Sequence, residues 1–222
     1  MSIKKICSLL KNEYGCPRLG NKFNPLDEYI YILLSLKTTY WSFEKVYKVF
    51  KRAYPTYEKA NRARVKSIAK VIKEAGLSNQ RAKYIKKTLK IIKQDFGEFS
   101  LRKLKKYDDA KLEKYLMTLP GLGLKAARCI MLYSFSRDTL PVDTHTQRIS
   151  ERLGLINKTS SAQSHELLDK IIPADSRYVY HAGCVVHGRK ICLHNKQDCK
   201  NCILSKYCKY YKHRCHRNGR SN

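Results

Sequence analysis

Apolar positions recur along most of this chain at helical spacing. Phe43, Val46, Tyr47 and Phe50 form one stripe, Ile68, Val71, Ile72 and Ala75 a second, and Ala82, Ile85, Leu89 and Ile92 a third. At 3.6 residues per turn each set shares one face, and no segment alternates apolar and polar residues as a half-buried strand does. The runs break at Asn24-Pro25, Tyr54-Pro55, Ala75-Gly76, Asp95-Phe96-Gly97, Pro120-Gly121, Leu140-Pro141, Ile156-Asn157 and Pro173. Proline lacks a donor and fixes φ, and glycine and asparagine end helices cheaply, so the breaks leave helices of ordinary length. The predicted fold is all-α. GLSNQRAKYI, from Gly76, and GLGLKAARCI, from Gly121, share a turn-then-helix plan that two similar helix starts explain without duplication.

Composition narrows the partner. The 222 residues, 43% of them apolar, suffice for one ordinary domain or two small ones. Lys+Arg 46 against Asp+Glu 18 leaves a formal charge of +28, which calls for an anionic partner: DNA, RNA or an acidic membrane. No stretch approaches the roughly 20 apolar residues of a membrane span, and MSIKKICSLLKNEY at the start has no signal-peptide core. The chain is therefore expected to be intracellular and free of membrane, cytoplasmic or nucleoid-associated in a prokaryote and nuclear in a eukaryote. Its nine cysteines crowd toward the C-terminus, which in a reducing compartment points to metal rather than disulfides. The tail from Lys209, KYYKHRCHRNGRSN, is basic and poor in aliphatics, so its last residues are expected to be disordered.

Two short segments carry candidate chemistry. In LPGLGLKAARC, Leu119 to Cys129, a helix marked by Leu112, Tyr115, Leu116 and Leu119 ends at Pro120-Gly121 and the next begins after Leu124. Gly121, Leu122 and Gly123 form a tight turn that lets another backbone approach, beside the free N–H groups and positive dipole end of the second helix. A phosphodiester fits there, whereas the P-loop spacing G-x-x-x-x-G-K-[ST] is missing. Standing alone, such a turn is most simply a helix connector. Further on, LPVDTHTQRI places Asp143 at another helix start, where N-capping is its simplest role. A helix N-terminus and basic surroundings disfavour an ammonium, so Lys125 can act as a neutral amine nucleophile. A carboxylate such as Asp143 can take up its proton and balance positive charge on a sugar ring.

Near the end, Cys192, Cys199, Cys202 and Cys208 follow the pattern C-x6-C-x2-C-x5-C. Four thiolates so close in sequence can close around one centre, and spacing alone accepts zinc or an iron–sulfur cluster. Cys184 and Cys215 flank the pattern as spares, while Cys7, Cys16 and Cys129 read as ordinary core or surface positions.

On LPGLGLKAA and PVDTH, with the spacing between Lys125 and Asp143, the chain resembles the helix-hairpin-helix DNA glycosylases of the endonuclease III superfamily, from about Pro25 to Cys208. The resemblance implies two helical lobes with a DNA-binding cleft: a central domain over 23–135 with the hairpin, and a second lobe of 1–22 plus 136–222. It implies base excision repair by a monomer acting on double-stranded DNA with a damaged or mismatched base. Excision is coupled to β-elimination at the abasic site. Lys125 is then the nucleophile at the deoxyribose C1′ and Asp143 its acidic partner, with His145 and Arg148 assisting at the site or its phosphates. The four cysteines match the motif of the [4Fe–4S] branch, which HGR at His187 to Arg189 precedes. Arg189 and the loop Leu193 to Asp198, with His194 and Lys196, would contact DNA, as would Lys37 and Leu77, the latter as the wedge of a flipped nucleotide.

Three positions depart from the family. Lys37 stands where an inserting glutamine is usual, and Tyr40 where aspartate is usual, which weighs against oxidised pyrimidines as the substrate. Ile32 occupies the place of the catalytic glutamate of the adenine-excising branch. EAGLSNQRA resembles archaeal mismatch thymine glycosylases, which carry tyrosine where this chain has Lys125. Tyr40 and Trp41 suit a base pocket and a core equally. Two alternatives stay open: a mismatch or deaminated-base glycosylase with weak lyase activity, and a non-catalytic, zinc-holding DNA-binding protein.

Overall fold

A computed structural model describes residues 2–36, 38 and 40–218, except the side chains of 40, 41 and 214–218. All regular structure among them is helical. The helices are α1 (Ile3–Tyr14), α2 (Pro25–Ser35), α3 (Tyr40–Ala53), α4 (Tyr57–Arg62), α5 (Val65–Val71) and α6 (Ser78–Phe96), then α7 (Asp109–Thr118), α8 (Leu124–Ser134), α9 (Thr144–Leu153), α10 (Ser161–Ile171), α11 (Arg177–Lys190) and α12 (Lys209–Asn218). Among the described residues no helix is long and apolar enough to cross a membrane. The chain divides into two compact units, Gly20–Arg137 and the pair Met1–Leu19 with Asp138–Asn222.

In the Gly20–Arg137 unit, α2 is the central element. It is buried almost all round, with Tyr29, Ile30, Leu33 and Leu34 at or below 1% exposure, as befits a helix that beyond Asp27 and Glu28 in its first turn is almost wholly apolar. Pro25 occupies its first turn, and the Asn24 side chain accepts from Leu26 N at 2.9 Å, satisfying an end amide that the helix cannot. Around it pack α3, α6 and α8, while α7 pairs with α8. The apolar run Ile68 to Ala75 is not one helix: α5 stops at Val71, and a 3-10 turn over Lys73–Ala75 leads into Gly76 at φ 75. Glycine there lets the chain reverse where any side chain would be strained.

In the other unit α1 packs on α11, and α9 lies against α11 and α12. Ile6, Leu10, Leu140, Ile149, Leu153, Leu168 and Tyr180 fill its core. Gly183 is a close-approach residue: a Cβ there would sit 2.9 Å from that of Leu10. The basic tail begins as a helix, α12, and its last residues, 219–222, lie outside the described residues.

Candidate functional site

The turn between α7 and α8 is a hairpin locked from behind. Gly121 has φ +83, and a Cβ on it would meet Leu33 Cδ1 at 2.7 Å and the Tyr84 ring at 2.8 Å, so only glycine suits both the backbone and the space. Pro120 O accepts from the buried Tyr29 hydroxyl at 2.8 Å, which in turn accepts from Thr88 Oγ1 at 2.7 Å. Leu122 N closes the turn on Leu119 O at 3.2 Å. Arg128 binds Glu113 at 2.7 Å and ties the two helices together. The outer side differs. Gly123 is exposed, a Cβ there would meet nothing within 4 Å, and no side chain caps the start of α8. The first-turn N–H groups and the positive dipole end are thus presented at an open glycine. Lys125, half-buried, lies in that first turn.

A second feature of the same unit joins two loops. Leu77 is a large apolar residue at φ 48, 57% exposed, at the start of α6. A side chain in the left-handed region is strained, and one exposed as well has no packing reason to be there. Four residues on, Arg81 is buried to 3% exposure. Its guanidinium donates to Leu34 O and Ala75 O, each at 2.8 Å, and to Leu36 O, with Thr38 Oγ1 3.3 Å from both terminal nitrogens. Lys37 lies outside the described residues, as do the side chains of Tyr40, Trp41 and Cys215.

In the other unit Asp143 caps α9, accepting from Thr146 N at 2.8 Å and His145 N at 3.1 Å. His145 follows it. Burial, with Arg148 and Arg189 nearby, depresses its pKa below the usual imidazole value, against an opposing pull from Asp143. Arg148 reaches away from the helix start: it donates to Cys192 O at 2.9 Å and Gly188 O at 3.0 Å, with His145 Nδ1 also 3.0 Å away. It pins the cysteine loop to α9 and α11. Arg189 and Lys196 are exposed. A broad open groove has Thr144, Arg148, Lys158, His194, Lys209 and His213 among its lining residues. Lys158 and Lys209 were not legible as site residues because the chain has lysines nearly everywhere.

Cys192, Cys199, Cys202 and Cys208 line one small cavity with Arg152, Ile191, Tyr210 and Tyr211. Arg152 Nη1 donates to Cys192 Sγ at 3.1 Å, and His187 Nε2 is 3.3 Å from Cys202 Sγ, with its Nδ1 2.8 Å from the Tyr14 hydroxyl. Burial, with the sulfurs of Cys192, Cys208 and Cys199 adding to it, pushes the Cys202 thiol up to about 11. Among the described residues no three Cys, His, Asp or Glu side chains converge as the ligands of a single ion. The four thiols thus share a cavity without closing on one point.

The residues that pattern-reading missed carry one signal. Arg81 falls on the buried face of α6 with Ala82, Ile85, Thr88, Leu89 and Ile92. A cation in an apolar stripe asks for buried acceptors.

The model of the HhH-GPD superfamily of base excision DNA repair proteins matches residues 30–174. An endonuclease III of Thermotoga maritima is 30% identical over 198 residues, covering 89% of each chain. Among solved structures, a trapped endonuclease III–DNA covalent intermediate aligns with TM-score 0.83 at 25% identity, covering 96% of this chain and 97% of that one. A thermostable thymine-DNA glycosylase aligns with TM-score 0.80 at 26% identity, covering 95% and 96%.

Proposed function

The chain belongs to the HhH-GPD superfamily of base excision DNA repair proteins, and from that membership we infer that it is a DNA glycosylase with abasic-site lyase activity. It removes a damaged or mismatched base from duplex DNA and then breaks the strand by β-elimination. The observation that carries this reading is Lys125 in the first turn of α8, next to the open Gly123 of a hairpin rigid on its inner side. The turn Gly121, Leu122 and Gly123 grips a phosphate there through the N–H groups of its glycines, the Leu122 N–H being held by Leu119 O. Lys125 attacks C1′ of the flipped nucleotide, the C1′–N bond breaks, and the base leaves with the bonding pair. The attached amine loses a proton, the C1′–O4′ bond of the sugar ring breaks with O4′ taking a proton, and C1′ and the lysine nitrogen form a Schiff base. Removal of a C2′ proton from it expels the 3′ phosphate with the C3′–O bonding pair. Asp143 takes up the amine's proton and balances charge on the sugar. Its capping bonds leave it oriented by two backbone N–H groups, a carboxylate fixed for that purpose. His145, Arg189 and Lys196 serve phosphates flanking the site, with Lys158 and Lys209 of the basic groove, while Arg148, engaged with Cys192 O and Gly188 O, assists by holding the cysteine loop, and Lys37 and Leu77 enter the duplex.

The cysteines suit a [4Fe–4S] cluster. Four soft donors line one cavity, with Arg152 Nη1 3.1 Å from Cys192 Sγ and His187 Nε2 3.3 Å from Cys202 Sγ as polar neighbours of the sulfurs. Bound there, the cluster keeps the loop Leu193 to Asp198 rigid for DNA contact.

Borohydride trapping tests the chemistry. The wild-type protein is expected to cross-link to duplex containing an abasic site, and Lys125→Gln to lose the adduct while its affinity for undamaged duplex stays within about threefold. An adduct at wild-type yield in the variant would assign the attack to another amine. A second reading, a mismatch or deaminated-base glycosylase with weak lyase activity, is favoured by the likeness to the thymine-DNA glycosylase. A panel of duplexes with uracil or thymine opposite guanine, and with oxidised pyrimidines, separates the two by which base is released.

A further inference from the structure

Arg81 is a buried cation with no carboxylate among its bonds given above. Its charge is met by carbonyl dipoles and one hydroxyl. Burying a guanidinium is costly unless every donor is answered, and burial does lower its pKa. The acceptors are specific. Leu34 O belongs to the last turn of α2 and Leu36 O follows it; Ala75 O ends the 3-10 turn before Gly76. A single side chain therefore caps two helix C-termini at once, where orphan carbonyls and a negative dipole end favour a cation. Thr38 Oγ1 adds a direct bond, 2.8 Å from Ala75 O. Ser42 Oγ donates to Glu74 O at 3.0 Å and fastens the same stretch to α3.

The two chain segments so joined are those that precede the proposed DNA-entering residues. Leu36 and Thr38 stand on either side of Lys37, and Ala75 lies two residues before the strained, exposed Leu77. We propose that Arg81 is a positioning residue that couples these two loops into one rigid insertion device, holding Leu77 in its left-handed conformation ready to fill the base stack. The inference rests on the wedge role given to Leu77 above. Arg81 is buried and has no reach to phosphate, so it acts through the loops and not on the DNA backbone. Its planar fork explains why arginine is needed: a lysine ammonium is a point donor that cannot serve carbonyls arranged around a plane.

A double-mutant cycle tests this on single-turnover cleavage of an abasic-site duplex. Arg81→Lys keeps the charge and is expected to slow cleavage about tenfold to a hundredfold, since small misplacements of positioning groups cost that much. Affinity for undamaged duplex should stay within about threefold. Leu77→Ala alone should also slow cleavage. Because Arg81 works through Leu77, the double variant should be no slower than the slower single one, whereas independent effects multiply. Multiplying effects, or an unchanged rate in Arg81→Lys, overturn the proposal. Full activity in Leu77→Ala with a slow Arg81→Lys would instead remove the wedge reading, and the inference with it, while leaving Lys125 untouched. Should Arg81→Lys not fold, Thr38→Val removes one bridge at constant volume. It must then slow cleavage and show the same non-additivity with Leu77→Ala, or the proposal fails.

Discussion

The hairpin of the Gly20–Arg137 unit and the cysteine loop of the other unit both offer polar atoms to a partner, the first through its backbone and the second through side chains. At the hairpin, Gly121 is locked against Leu33 and Tyr84 and Pro120 O is held by Tyr29, so the geometry exists before anything binds. At the loop, Arg148 and Arg152 hold carbonyls, and the Cys202 thiol is pushed up to about 11 by burial. Thiolates there need a cation to neutralise them. A site made of backbone is preorganised by the fold, whereas one made of buried thiols is completed by what it binds.

The largest expected effect follows from that contrast. Cys199→Ser should cost the cluster, about four irons and four sulfides per chain by chemical analysis, and with it the yellow-brown colour. Folding and binding are coupled there, so limited proteolysis should open the 192–208 segment while the Gly20–Arg137 unit stays protected. A colourless wild-type protein holding one zinc would break the comparison at its cofactor. Next, Asp143→Asn should slow base release or strand cleavage by on the order of 10²–10⁴, because an amide cannot accept the proton. Its unfolding free energy should change by less than about 1 kcal/mol, since asparagine still caps a helix. Loss of fold instead of turnover would make Asp143 a cap alone.

Gly121→Ala comes third and probes the backbone side. The positive φ and the crowding by Leu33 and Tyr84 should together cost about 1–3 kcal/mol in denaturant unfolding. A neutral outcome would show that the hairpin is softer than its contacts imply.

Much of this architecture was legible locally. Asn24-Pro25 starts α2 because a side-chain cap and a fixed φ act within one turn, and Gly97 at φ 74 ends α6 for the same short-range reason. The run Ile68 to Ala75 misled: its spacing fits one helix, but Gly76 and the bonds Thr38 and Ser42 make to Ala75 O and Glu74 O draw its end into a 3-10 turn. Arg81 was illegible as a linker since its acceptors at Leu34 and Leu36 lie far away in sequence. The same holds for the Tyr14 hydroxyl on His187, and for Arg148, which the chain order places beside Asp143 but whose guanidinium turns to Cys192 O. Patterns report what a residue does to its own turn, and such bonds are made by the fold.

The smallest expected effect is a pH dependence at the junction of α9 and α11. His145 is half-buried, with Asp143, Arg148, Arg189 and Gly188 facing it, and burial sets its folded pKa below the unfolded value. In the window below about 6.5 the unfolded chain therefore binds more protons than the folded one, and stability is lost as pH falls. The contribution is fully present above that value. Each such site bounds the slope at about 1.4 kcal/mol per pH unit. His187, depressed to about 4 by burial, adds with the same sign. Unfolding free energies measured from pH 7.5 to 5 should thus fall for the wild type and fall less steeply for His145→Gln, which has no proton to gain. An equal slope in both would show that the imidazole is solvated in the folded state, and that Arg148 holds the cysteine loop without it.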